Sequence, residues 1–325
     1  MRNPKCFIRG TVVEICATVT EGLPFVCTEY MQLLIEGILA RAQYLYPQKI
    51  CSLVFLPNHF HMLIVVNKPD DVPQFMGYVK TELAHAANIL RGRAKGAVWD
   101  ARYDSITVLT PEDVLRRMVY CYQNPAAAGL VDSITDYPGV NTFSALRNPR
   151  PTRKRCKKLS RADIPILPRQ SLRLKAQGEL TAEMRELPGD EHELVIEPWA
   201  WVDCFPAAQR TSLKDIKREF FNLLHRQEEI LRRDRKRPFA GALALRLQDP
   251  RKRYRPRREG KKMICICHVI EIRERFIQWF KEQREVARAR YQEFKRSALR
   301  ATWPPGFFAP GRALFANLLR QPLPF

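Results

Sequence analysis

The spacing of apolar side chains in the first 125 residues alternates between the two-residue repeat of a strand and the 3.6-residue repeat of a helix. That order constrains the fold more than any other feature of the sequence. Residues 6–18 (CFIRGTVVEICAT) are rich in β-branched and apolar types and predict a strand. From Thr28 to Leu45 the residues Met31, Leu34, Ile38 and Leu45 recur at helical spacing. Residues 49–56 (KICSLVFL) predict a second strand and, past Pro57-Asn58, residues 59–66 (HFHMLIVV) a third. Asp70-Asp71 open a helix with Val72, Phe75, Met76, Val79, Leu83, Ala87 and Leu90 on one face, broken by Gly92–Gly96. A fourth strand is expected near Tyr103–Leu109.

Thr110-Pro111-Glu112-Asp113 then reads as a helix start: Thr caps, Pro sits where its missing N–H is harmless, and two acids face the dipole. That helix is expected to end about Asn124, because Pro125 disfavours helical dihedrals in the residue before it. The order β-α-β-β-α-β followed by one more helix predicts an α+β, ferredoxin-like fold with an antiparallel sheet. Many unrelated activities use that fold, so function must come from the site.

Past Tyr137-Pro138-Gly139 the periodicity weakens. Residues 1–147 form one expected domain. Residues 148–200 are expected as a basic, Pro-rich linker with an acidic island at Glu179–Glu197, and 201–325 as a basic, mainly helical C-terminal region with helices near 211–235 and 270–300.

Charge separates these parts. The formal net charge is +21, yet residues 1–150 hold 15 basic and 13 acidic side chains against 40 and 21 in the remainder. So basic a C-terminal half suits a polyanion such as nucleic acid; a solvated, self-repelling tail is the alternative. The cluster 251–262 (RKRYRPRREGKK) places Arg251, Lys252, Arg253, Arg255, Arg257 and Arg258 as backbone-phosphate contacts, with a solvated loop as the other possibility. The nine cysteines form no regular framework, and Cys6, Cys16 and Cys51 sit in apolar runs, which suits a reducing cytoplasm. With no apolar leader segment and no apolar run of membrane-spanning length, the expectation is a soluble cytoplasmic protein without a membrane partner.

Residues at i and i+2 of a strand share a face, so His59 and His61 project together while Phe60 turns away. Two adjacent imidazoles make the nucleus of a divalent-metal site, or a hydrogen-bonded pair at a strand start. In the helix after Pro111, Tyr120 and Asn124 lie one turn apart, with Arg116 and Arg117 a turn earlier. Tyr122 falls on the apolar side with Leu115, Met118 and Val119, so Tyr120 is the expected exposed phenol. Lys80, on the polar side of its helix, could touch DNA, whereas Trp99 reads as a core or loop anchor. Cys265-Ile266-Cys267-His268 has no matching second pair and is weak as a zinc motif.

The run Leu56-Pro57-Asn58-His59-Phe60-His61-Met62-Leu63 resembles the PNHxH signature of single-tyrosine HUH transposases. Trp99 with Tyr103 resembles their W…r-y segment. Tyr120-Cys121-Tyr122-Gln123-Asn124-Pro125, continuing to Ala128-Gly129-Leu130-Val131, is similar to their YxxxNPxxAGLV helix end. The nearest group is the REP-associated tyrosine transposases, and the resemblance covers about residues 5–147. It implies that His59, His61 and Asn124 bind Mg²⁺ or Mn²⁺ and that Tyr120 is the nucleophile. It further implies a chain that nicks and rejoins single-stranded, hairpin-bearing or palindromic DNA through a 5′-phosphotyrosine, as a monomer or homodimer. Ala127 departs from the pattern, since the family often has an arginine there. Two other readings keep the same fold: a nucleic-acid-binding regulator without catalysis, and a relaxase or replication-initiator type of nickase.

Overall fold

The computed structural model describes residues 5–167, 173–252, 254, 263–297 and 303–308. Its chain order is β1 (Val12–Thr18), α1 (Glu29–Leu45), β2 (Lys49–Leu56), β3 (His59–Val65), α2 (Asp71–Leu90), β4 (Asp104–Val108) and α3 (Pro111–Ala127). The second half continues with β5 (Thr152–Leu159), α4 (Leu174–Glu186), β6 (Gly189–Ile196), α5 (Pro206–Gln209), α6 (Leu213–Asp234), α7 (Ala242–Arg246), β7 (Cys265–Ile266) and α8 (Ile270–Ser297). The protein is α+β, and its first six elements follow the expected β-α-β-β-α-β order.

Among the described residues the strands form one sheet in the order β5-β6-β2-β3-β1-β4-β7. The four central strands are mutually antiparallel, with β1 between β3 and β4. The sheet is nonetheless mixed, because β6 joins β2 and β7 joins β4 in parallel. Alternation along the strands divides the core in two. Val13, Ile15, Phe55, Phe60, Met62 and Ile64 face α1 and α2. Val12, Val54, Leu56, Leu63 and Val65 face the other side, where α3 and α6 pack. A bulge in β2 between Ile50 and Ser52 shifts its register against β3, adding one residue to the ladder.

The basic segment 148–200, expected as a linker, instead contributes β5, α4 and β6 to this sheet and its cover. Its charges hid a strand. Cys156 and Leu159 are buried, while Lys154 pairs with Glu36 at 2.6 Å, Lys158 with Glu82 at 2.9 Å and Arg153 with Glu193 at 2.9 Å. The acidic island supplies the partner strand β6. Helices α6 and α8 fall where helices were expected, near 211–235 and 270–300.

Thr110 caps α3 by accepting from the Asp113 amide at 3.2 Å. The helix does not stop at Asn124: it runs on to Ala127 with Pro125 inside its last turn. Proline there sacrifices one backbone bond, to the Cys121 carbonyl, and the turn closes around it through Ala128 N–H to Asn124 O and Leu130 N–H to Pro125 O, both 2.9 Å. Gly129, at φ 67°, then takes the left-handed conformation that ends the helix. Among the described residues no helix is long and apolar enough to cross a membrane.

Candidate active site

The antiparallel register sets Cys16 of β1 opposite His61 of β3 and Thr18 opposite His59. Side chains at these positions emerge on the face covered by α3. Phe60 goes to the other face, where it stacks on Phe55 at a centroid distance of 4.7 Å and meets the edge of Trp99 at 5.9 Å. This aromatic packing fixes the strand from beneath, so the two flanking imidazoles are held by a rigid element. Their ring centroids lie 5.1 Å apart at 86°.

Each imidazole is oriented through Nδ1. In His59 that nitrogen bonds Asn58 Oδ1 at 2.7 Å, and in His61 it donates to Glu14 Oε1 at 2.8 Å. An oxygen acceptor on one ring nitrogen, leaving the other for an ion, is the usual outer-shell arrangement of a metal-binding histidine. The Asn124 side chain lies beside His59, near enough to favour its protonated form. Burial and the adjacent His61 push His59 down to about 3, although the neighbouring Asn124 opposes them, so this ring stays neutral and able to ligate. Burial also disfavours a charged His61, but Cys16 and Glu14 beside it prevail and push the imidazole up to about 9.

Tyr120 stands above this pair, with its ring 5.5 Å from that of His61 at 87° and 39% of the residue exposed. Burial raises its phenol above the ordinary value, opposed by Arg117, so the hydroxyl is protonated at neutral pH. Tyr122 is fully buried and its hydroxyl hydrogen-bonds Thr142 Oγ1 at 2.9 Å, which makes it the core residue the helical wheel indicated.

The two arginines diverge. Arg117 is half-buried against Glu14, donating from Nη2 to Oε1 at 2.7 Å and from Nε to Oε2 at 2.5 Å, with its Cζ 3.8 Å from the Tyr120 ring centroid. Arg116 has a 59% exposed side chain and only a long 3.9 Å contact to Asp113. Lys80 is spent inside the fold: its amine donates to the Ala101 carbonyl at 2.6 Å, and burial pushes it down to about 8. Trp99 anchors the same loop by donating to the Lys80 carbonyl at 2.8 Å. Arg251 donates to the Leu167 carbonyl at 2.6 Å, and Lys252 is exposed. Arg253, Arg255, Arg257 and Arg258 lie outside the described residues. His268, from the C-x-C-H run, bonds Asp113 at 3.0 Å rather than joining Cys265 and Cys267 in a cluster.

Glu14 went unnoticed in the sequence. It is wholly buried, yet burial, which disfavours its ionised form, is outweighed by His61 and Arg117, which hold its carboxyl low. An acid in the middle of the apolar run VVEICAT was the available signal, because a buried carboxylate demands partners. Glu14, His61 and Cys121 also place ligand atoms within 4.8 Å of one another, so a second ion-sized group exists. All three are buried, the carboxylate already carries two cationic partners, and burial pushes the Cys121 thiol well up. The His59, His61 and Asn124 set adjoins the half-exposed Tyr120 and is the better fit to an ion that must meet a substrate.

No protein-family model matches the sequence, and a search of curated proteins returned no match. Among solved structures, a REP-associated tyrosine transposase bound to a REP hairpin aligns with a TM-score of 0.39 and 20% identity, over 45% of this chain and 84% of that one. A candidate transposase from Deinococcus radiodurans R1 aligns at 0.27 and 13%, over 37% of this chain and 95% of that one. Alignments at this level carry no functional argument, so the reading of the chain rests on the residues of the site.

Proposed function

We propose that the chain nicks and rejoins single-stranded DNA, with Tyr120 as nucleophile and His59, His61 and Asn124 as ligands of a Mg²⁺ or Mn²⁺ ion. The observation that carries this reading is the convergence of Tyr120 on the two imidazoles, its ring 5.5 Å from His61, with Asn124 one turn along the same helix and beside His59. The motif resemblance to single-tyrosine HUH transposases points to the same residues independently. Catalysis is assigned to residues 1–147; the residues after them extend the sheet and supply cations toward DNA.

In this reaction the Tyr120 oxygen attacks the scissile phosphorus, and the bond from phosphorus to the 3′-oxygen breaks. The phenolic proton passes to solvent and the departing 3′-oxygen takes one up, leaving a 5′-phosphotyrosine and a free 3′-hydroxyl. Attack by another 3′-hydroxyl reverses the step on a new strand without ATP, because the ester energy is kept in the covalent link. The bound ion would supply charge stabilisation at the phosphate. Arg116, exposed on the same helix as the nucleophile, is assigned to a flanking phosphate. Single-stranded or extruded DNA is the proposed substrate, since in-line attack needs room that a duplex does not give.

Incubation with labelled single-stranded and hairpin oligonucleotides and Mn²⁺ tests the reading. A covalent adduct that Tyr120→Phe abolishes supports it. Specific binding with no adduct on any substrate would replace it with a binding-only role on the same fold.

A further inference from the structure

We propose that Glu14 is a positioning residue that holds the metal-binding imidazole and the nucleophile in one geometry, acting through His61 on one side and Arg117 on the other. The inference rests on the roles given above to His61 and Tyr120 and adds the part that joins them.

Glu14 is 0% exposed and lies on β1, between the strand that carries His61 and the helix that carries Tyr120. Its Oε1 accepts from His61 Nδ1 at 2.8 Å and from Arg117 Nη2 at 2.7 Å, while Oε2 accepts from Arg117 Nε at 2.5 Å. A single carboxylate therefore fixes which His61 nitrogen is left for an ion and also fixes the plane of the Arg117 guanidinium. That plane matters because the Arg117 Cζ sits 3.8 Å from the centroid of the Tyr120 ring. A ring 39% exposed is otherwise free to swing toward solvent; stacking on a clamped guanidinium keeps it beside His61. The same bonds take the Nε and Nη2 edge of Arg117, leaving only its Nη1 side for any other acceptor. A glutamine at position 14 would present an N–H₂ group to one of these donors, so no amide reproduces the arrangement.

Two readouts on the full-length protein separate the two arms. Mn²⁺ affinity, followed by electron paramagnetic resonance of the free ion, reads the His61 arm. The rate of covalent adduct formation at saturating Mn²⁺ reads the Tyr120 arm. Glu14→Gln is expected to weaken Mn²⁺ binding about 10- to 100-fold and to slow the adduct at saturating metal about tenfold or more. Arg117→Lys keeps a cation beside Glu14 but removes the planar stack; its expected signature is wild-type Mn²⁺ affinity with an adduct rate about tenfold down. Glu14→Asp, which keeps both acceptor oxygens, is expected to recover part of each loss. Wild-type Mn²⁺ affinity in Glu14→Gln, or a wild-type adduct rate in Arg117→Lys, overturns the proposal. Should Glu14→Gln not fold by circular dichroism, the Arg117→Lys pair of measurements decides. A wild-type protein that forms no adduct defeats the nicking reading alone, and the Mn²⁺ titrations then judge Glu14.

Discussion

Gly37 of α1 packs against the backbone of Lys157 in β5 so closely that a Cβ at Gly37 would stand 2.1 Å from the Lys157 carbonyl oxygen. The approach shows that β5 docks on the first helix of the fold, and it makes Gly37 the seat on which the outer pair of strands rests.

Gly37→Ala is therefore expected to destabilise the protein by about 1–3 kcal/mol or more, although alanine is the better helix former. The obstacle is main chain, which cannot swing aside as a side chain would. Chemical denaturation of the variant checks this, and an unchanged or raised midpoint would refute the docking. Hydrogen exchange should show the loss concentrated in 152–159 and 189–196.

The two histidines set opposite limbs of a pH–stability curve for the metal-free protein. His59 sits at about 3 in the fold against an ordinary 6.5, so between those values the unfolded chain binds the extra proton and stability rises with pH. Glu14, whose carboxyl is held below the ordinary 4.5, adds to this acid limb. His61 sits at about 9, so from 6.5 upward the native state holds the extra proton and stability falls as pH rises through 9. Thermal melts in chelator should peak near pH 6.5. His61→Gln should flatten the alkaline side, and His59→Gln should soften the acid side.

Asn58 orients His59 from one residue away, at 2.7 Å. Asn58→Ala is expected to lower Mn²⁺ affinity about 10- to 100-fold while leaving Tyr120 in place. Calorimetric titration measures it; affinity equal to wild type would mean that His59 needs no such support. Asn124→Ala should lower affinity by a comparable factor, having lost a ligand rather than its orientation.

Tyr122→Phe removes a buried hydroxyl bonded to Thr142 and should cost about 1 kcal/mol of stability with adduct formation intact. Tyr120→Phe should do the reverse, removing the adduct while barely altering the melting temperature. Swapped outcomes would transfer the nucleophile to Tyr122.

The central elements were legible: β-branched and apolar content marked strands in 6–18, of which the structure keeps Val12–Thr18, and in KICSLVFL, while the Val72-to-Leu90 stripe marked a helix by its period. Tyr120 was separable from Tyr122 by angle alone, since the two lie on different sides of one helix. What escaped was structure that composition conceals. The run TRKRCKKL averages to a basic linker, and only β6 and the acids Glu36 and Glu82 beside it give its cations partners and make it a strand. Glu14 stood out only as an acid in an apolar run; its role depends on His61 and Arg117, which lie 47 and 103 residues away. Pro125 misled in the other direction, because a lost bond in a final turn is cheaper than one in mid-helix.

The outer margin of β2 is occupied along much of its length by the chain itself. Val54 bridges Asn141, Phe55 N–H reaches the Val140 carbonyl at 2.8 Å, and Glu197 N–H reaches Ile50 at 2.8 Å. Two copies could not zip together along that seam without first evicting residues 140–142 and β6. Self-association, where it occurs, must draw on other ground.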